Sequence, residues 1–140
     1  MTVLYPLLAM VALTIVVACL MYFRRINYMK SHRIHPQKVA NREQAKELLK
    51  DNRASDNYLN LFEMPVLFYV AGFVILFANQ GTKLLIALLW AYVAFRVAHS
   101  LIHCTYNIVM HRFGAFMLSA ITLLAIWLIL IVQILFGISL

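Results

Sequence analysis

Charge is what this chain has least of: of its 140 residues 12% are charged, and only five are acidic. A soluble domain carries about a quarter charged residues. With 64% hydrophobic side chains here, the apolar excess has to face lipid, which excludes an ordinary water-soluble globule. Cysteine is scarce too. Cys19 and Cys104 lie in or near apolar segments without CxxC spacing, which excludes a disulfide scaffold or a zinc site. Both are expected to be small buried apolar residues, and no metal site is expected.

What charge there is has one sign and one place. The net charge is +7, and nine of the twelve Lys and Arg residues lie between Arg24 and Arg53, the only long polar stretch. Such clustering fits a single cytoplasmic loop under the positive-inside rule. Acidic residues interrupt any basic patch in the loop, so no nucleic-acid partner is expected.

Four nearly uncharged stretches reach the roughly 20 residues that cross a bilayer. They run from about 3 to 23, 58 to 78, 84 to 103 and 113 to 138, with a loop over 24–57. The first carries no ionisable group except tyrosines, has no basic leader and no small-residue cleavage site, and so reads as a retained span. The whole chain, 1–140, is expected to be one all-α membrane domain, a four-transmembrane-helix bundle. Pro36 should break the first loop. Asn41–Lys50 should form a short charged helix with Glu43–Lys46 and Glu47–Lys50 pairs, each worth a few tenths of a kcal/mol. Asn79–Thr82 reads as a tight turn, and a short loop around Asn107–Arg112 precedes the last span. With the basic loop in the cytoplasm both termini lie outside, and the cell membrane of a bacterium is the expected location.

The informative residues are the polar ones inside the spans. Span two holds Asn60 and Glu63 on one helical face. Span three holds Tyr92, Arg96, His99 and His103, spaced four, three and four apart, again a single stripe. A charge at the centre of a spanning helix costs about 2.5–3.5 kcal/mol. Glu63 and Arg96 are therefore expected to pair. Glu63 lies roughly 9 Å into span two from the loop side, and Arg96 roughly 10 Å from the same face. A pair that only locks two helices would not need Asn60, Tyr92 and two histidines beside it, so the cluster reads as a ligand cavity. Pro65 crowds the carbonyl of Leu61 and should bend span two, opening space beside Glu63.

The run Asp56-Asn57-Tyr58-Leu59-Asn60-Leu61-Phe62-Glu63-Met64-Pro65, followed by Phe95-Arg96-Val97-Ala98-His99-Ser100, resembles the MAPEG family, the membrane-associated proteins of eicosanoid and glutathione metabolism, in a bacterial-type form. N-x-x-E-x-P together with R-x-x-H at this spacing, in so short a chain, is a specific combination, and the resemblance covers essentially the whole length. It implies a homotrimer that binds glutathione between adjacent subunits near the cytoplasmic face. Arg96 would hold a carboxylate, Glu63 the ammonium and Asn60 a peptide group, with Tyr92, His99 and His103 lining the same pocket. Arg112 matches the arginine that activates the thiol in catalytic branches, and is the candidate catalytic residue. The implied activity is transferase or peroxidase, with glutathione as co-substrate and a hydrophobic small molecule, an electrophile or hydroperoxide, arriving from membrane lipid.

Two departures stand out. Phe113, Gly114, Ala115 and Phe116 follow Arg112 where those branches place a hydroxyl, and Asp56 stands where they carry arginine. Arg53, one turn earlier, is the nearest cation to take that place. Alternatives are a non-catalytic scaffold or ligand-binding protein of the same fold, and a small exporter, which would need an unpaired acid in span one. A haem bundle would need histidines on facing spans, which this chain lacks.

Overall fold

The computed structural model describes residues 2–49 and 51–137. It is helical, and four of its helical segments are long and apolar enough to cross a membrane. Helix α1 spans Leu4–Ser31, so it does not stop where the apolar run stops at Phe23 but continues through the arginines. No proline or glycine interrupts it after Pro6, which sits in the first turn, where a missing N–H costs nothing. The helix ends at His32, and Arg33 turns the chain with φ 52°.

The loop then folds back on this extension. A 3₁₀ turn, Pro36–Val39, is capped by His35, whose Nδ1 accepts from the Gln37 amide at 3.3 Å. Helix α2, Arg42–Leu48, occupies the expected charged segment. The pairs expected there require Lys46 and Lys50, whose side chains lie outside the described residues. Val39, Ala45 and Leu49 form a small apolar cluster with Tyr28, Met29 and Ile34, which fixes the loop against α1.

The second span comes in two pieces, α3 (Arg53–Asn60) and α4 (Met64–Phe77). Residues 53–57, read from sequence as loop, are helical, and Ala54, Asn57 and Leu61 point into the bundle. A turn with Asn79 at φ 54° leads to Thr82, whose hydroxyl accepts from the Leu85 amide and caps α5, Lys83–Cys104. Asn107, at φ 51°, turns the chain into α6, Val109–Phe136, which ends on Gly137 in the left-handed region. The expected span end at Ile138 lies outside the described residues.

Helix α5 is the centre of the bundle, packing along α6 and touching α1 and α3. Met10, Phe68, Leu85, Leu89, Tyr92, Ile126 and Leu130 are buried completely in its core. Helix α1 reaches α4 closely enough that a Cβ on Gly72 would fall 2.5 Å from the Leu7 Cδ2. The outward faces are apolar, with Leu8, Val16, Phe77, Leu124 and Leu135 exposed as lipid-facing side chains are. Cys19 is on such a face: it is exposed rather than buried, because α1 turns Leu7, Met10 and Val17 inward instead. Cys104 is buried as expected.

Candidate functional site

Pro65 lacks an amide hydrogen to give to Leu61, so α3 and α4 cannot join. Leu61, Phe62 and Glu63 form a non-helical break, with Glu63 at φ −94° and ψ −97°. Opposite the break lies the loop-side end of α5, and below it the start of α6. Between them is a cavity of about 480 Å³. Asn60, Glu63, His99, His103 and Arg112 line it, together with Asp56, Leu59, Val109, Phe113 and Phe116.

The histidine tautomers follow from their partners. His99 Nδ1 lies 3.2 Å from the Arg112 carbonyl, so Nδ1 donates and Nε2 is left as a free acceptor. His103 Nε2 lies 3.3 Å from Arg112 Nη1 and must accept, which places its proton on Nδ1, an atom with no partner among the described residues. Arg112 Nη1 also donates to Asn107 Oδ1 at 3.0 Å. The left-handed turn at Asn107 therefore aims Arg112. Asn107 was named in the sequence only as the edge of a loop; an asparagine just before a helix, tolerant of φ above zero, was the available signal.

Arg96 and Glu63 do not pair. The break carries Glu63 to an exposed position at the cavity mouth, whereas Arg96 is fully buried. Its Nε donates to Tyr92 Oη at 3.1 Å, and its guanidinium lies 5.6 Å from the Tyr92 ring centroid and 5.4 Å from that of Phe116. Both terminal nitrogens, Nη1 and Nη2, have no acceptor among the described residues. Depth arithmetic placed the two charges at one level but assumed a straight span two. Tyr92 lies deeper still, stacked on Phe68 with centroids 4.5 Å apart, so it holds Arg96 rather than lining the cavity.

Arg53 does not replace the missing cation either. Its Nε donates to Asp51 Oδ1 at 2.8 Å, and its Nη1 donates to the Thr105 carbonyl. Arg24 reaches the same carboxylate at 3.4 Å and the Cys104 carbonyl at 2.8 Å. Two arginines thus cap the C-terminal carbonyls of α5, where the helix dipole favours cations. The hydrogen bond from Arg53 holds the Asp51 carboxyl below the usual carboxylate range. Beneath this knot Asn57 is fully buried, donating to Cys104 Sγ and accepting from Ser100 Oγ, each at 3.4 Å. None of these contacts was legible beforehand, since Arg24, Asp51 and Asn57 look like ordinary loop residues.

A family model described as the MAPEG family matches residues 3–132. No curated protein and no solved structure matches. The match covers nearly the whole chain, and the four spanning helices agree with it; the chain belongs to the MAPEG family.

Proposed function

We propose that this chain binds glutathione at the α3–α4 break and conjugates it to a hydrophobic electrophile that enters from the bilayer. Family membership already makes it a glutathione-related membrane protein. The observation that carries the finer reading is the convergence of Asn60, Glu63, His99, His103 and Arg112 on one cavity of about 480 Å³. That volume is within the range of about 300–1,000 Å³ usual for small-molecule sites. Glu63 accepts from the ligand ammonium and Asn60 meets a peptide group. Arg96, whose terminal nitrogens lack acceptors, takes a carboxylate once the Phe116 ring moves aside.

Arg112 supplies the chemistry. A thiol with a pKa near 8.5 is only a few per cent thiolate at neutral pH, and an adjacent guanidinium raises that fraction. The thiol proton passes to water, the sulfur bonds to the electrophilic carbon, and the leaving group departs with its electron pair. With a hydroperoxide the same thiolate attacks oxygen, the O–O bond breaks to release an alcohol, and a second glutathione converts the sulfenic acid to disulfide and water. The cavity is open on one side, and a homotrimer closes it with a neighbouring copy. The charge bias of the loop supports a cytoplasmic loop, with both termini outside a bacterial cell membrane. The exporter reading finds no acid in α1 to support it.

A second reading, binding without turnover, is favoured by Phe113 and Phe116, which line the cavity where a hydroxyl would assist the thiolate. Calorimetry on detergent-purified protein separates the readings. Wild type should bind glutathione, and Glu63→Ala and Arg96→Ala should each weaken binding about tenfold or more, the loss of one charged hydrogen bond. Absence of binding at millimolar glutathione would remove the proposal. Binding without turnover on a panel of electrophiles, unchanged by Arg112→Ala, would leave the non-catalytic reading.

A further inference from the structure

A second, larger cavity of about 830 Å³ lies on the far side of α3, between α1, the folded loop and α3. Leu59 is the one residue that lines both cavities. The second cavity is amphipathic, with Val39, Ala45 and Leu49 of the folded loop adding apolar wall beside its polar groups. Met21, from the apolar run of α1, and Tyr58 and Leu59, from the start of span two, form its lower wall. Arg24, Arg25 and Arg53 stand above, at the level where the apolar run gives way to the basic segment.

The charges there do not cancel. Three guanidinium groups face a single carboxylate, Asp51, which Arg24 and Arg53 already share. Both oxygens of that carboxylate already accept from Arg24 and Arg53. Arg25 makes one hydrogen bond among the described residues, from Nη2 to the Val39 carbonyl at 3.0 Å, and no ion pair among them. A pocket with an apolar floor at the edge of a bilayer and an unneutralised guanidinium at its rim matches one ligand chemistry, a phosphate ester carrying an acyl chain.

We propose that this cavity binds the headgroup of an anionic phospholipid, with the phosphate on Arg25 and Arg24 and the upper acyl chain along Met21 and Tyr58. The site is independent of the glutathione reading, since it shares no charged residue with the other cavity.

The test uses delipidated full-length protein in neutral detergent, titrated with phosphatidylglycerol or phosphatidylcholine and followed by native mass spectrometry and thermal shift. Phosphatidylglycerol should bind more tightly and raise the melting temperature more. Arg25→Gln should reduce that preference about fivefold, the weight of one arginine near an anionic headgroup. Lys38→Gln, a basic residue outside the cavity, should leave it intact. Equal binding of the two lipids overturns the proposal, as does an equal loss from Lys38→Gln, which would mean diffuse attraction. Glycerol phosphate, added alone, separates the two sources of the phosphate. If it reproduces the whole shift and displaces the lipid, the site takes a free phosphate ester and the lipid assignment fails.

Discussion

Asn57 shows how much a single side chain can hold without touching a ligand. Its amide joins Ser100 and Cys104 of α5 to α3, in a place that water does not reach. Asn57→Ala leaves the Ser100 hydroxyl without its acceptor and opens a void, so it should destabilise the protein by about 1–3 kcal/mol. Unfolding in mixed micelles would measure this, and Asn57→Asp, which keeps the acceptor but buries a charge, should be worse. A neutral result for Asn57→Ala would mean that the contacts of 3.4 Å contribute nothing to stability. At this scale the sequence was readable only where polarity contradicted its surroundings. Glu63, Arg96 and His99 stood out because they interrupt apolar runs, whereas Asn57, Asn107 and Arg24 were hidden among other polar residues. Burial of a polar residue in a polar segment leaves no compositional trace.

Among the elements, the interrupted second span decides where the site is. Pro65 opposes one backbone bond, and the three residues before α4 absorb the mismatch, which pushes Glu63 outward. Pro65→Ala restores the missing donor and permits a continuous helix from Arg53 to Phe77. The variant should be at least as stable as wild type yet bind glutathione about tenfold more weakly, because Asn60 on α3 and Glu63 in the break would be re-aimed. Calorimetry together with a melting curve tests both halves; unchanged affinity would mean that the break merely relieves the proline. The bend itself was foreseeable from Pro65, but its size was not, and the expected Glu63–Arg96 pair failed for that reason. Similarly, α1 outlasts its apolar run by eight residues, to Ser31. Hydropathy reports the thickness of the lipid that a helix crosses, and in a segment with no Pro or Gly after Pro6 the helix itself has no reason to stop there.

For the molecule as a whole, the open side of the proposed glutathione cavity is the outstanding energetic debt. Glu63 is exposed at its mouth and Arg96 is buried behind it with two unsatisfied nitrogens, while a charge at the bilayer centre costs about 2.5–3.5 kcal/mol. One chain cannot bring the two together, because the break that creates the cavity also separates them. A ligand with an ammonium and a carboxylate at one end and a second carboxylate at the other would satisfy both, provided that a second protein surface excludes lipid from the mouth. Trimerisation and ligand binding should therefore be linked. Native mass spectrometry in a mild detergent is expected to give three copies, and glutathione should shift the equilibrium toward that species. Stripping the protein to monomers with a harsher detergent should abolish binding in proportion to the trimer lost, with the helical signal in circular dichroism unchanged. A monomer that binds with full affinity would instead place the entire site within one chain, and the exposed Glu63 would then be a solvent-facing gate rather than half of an interface.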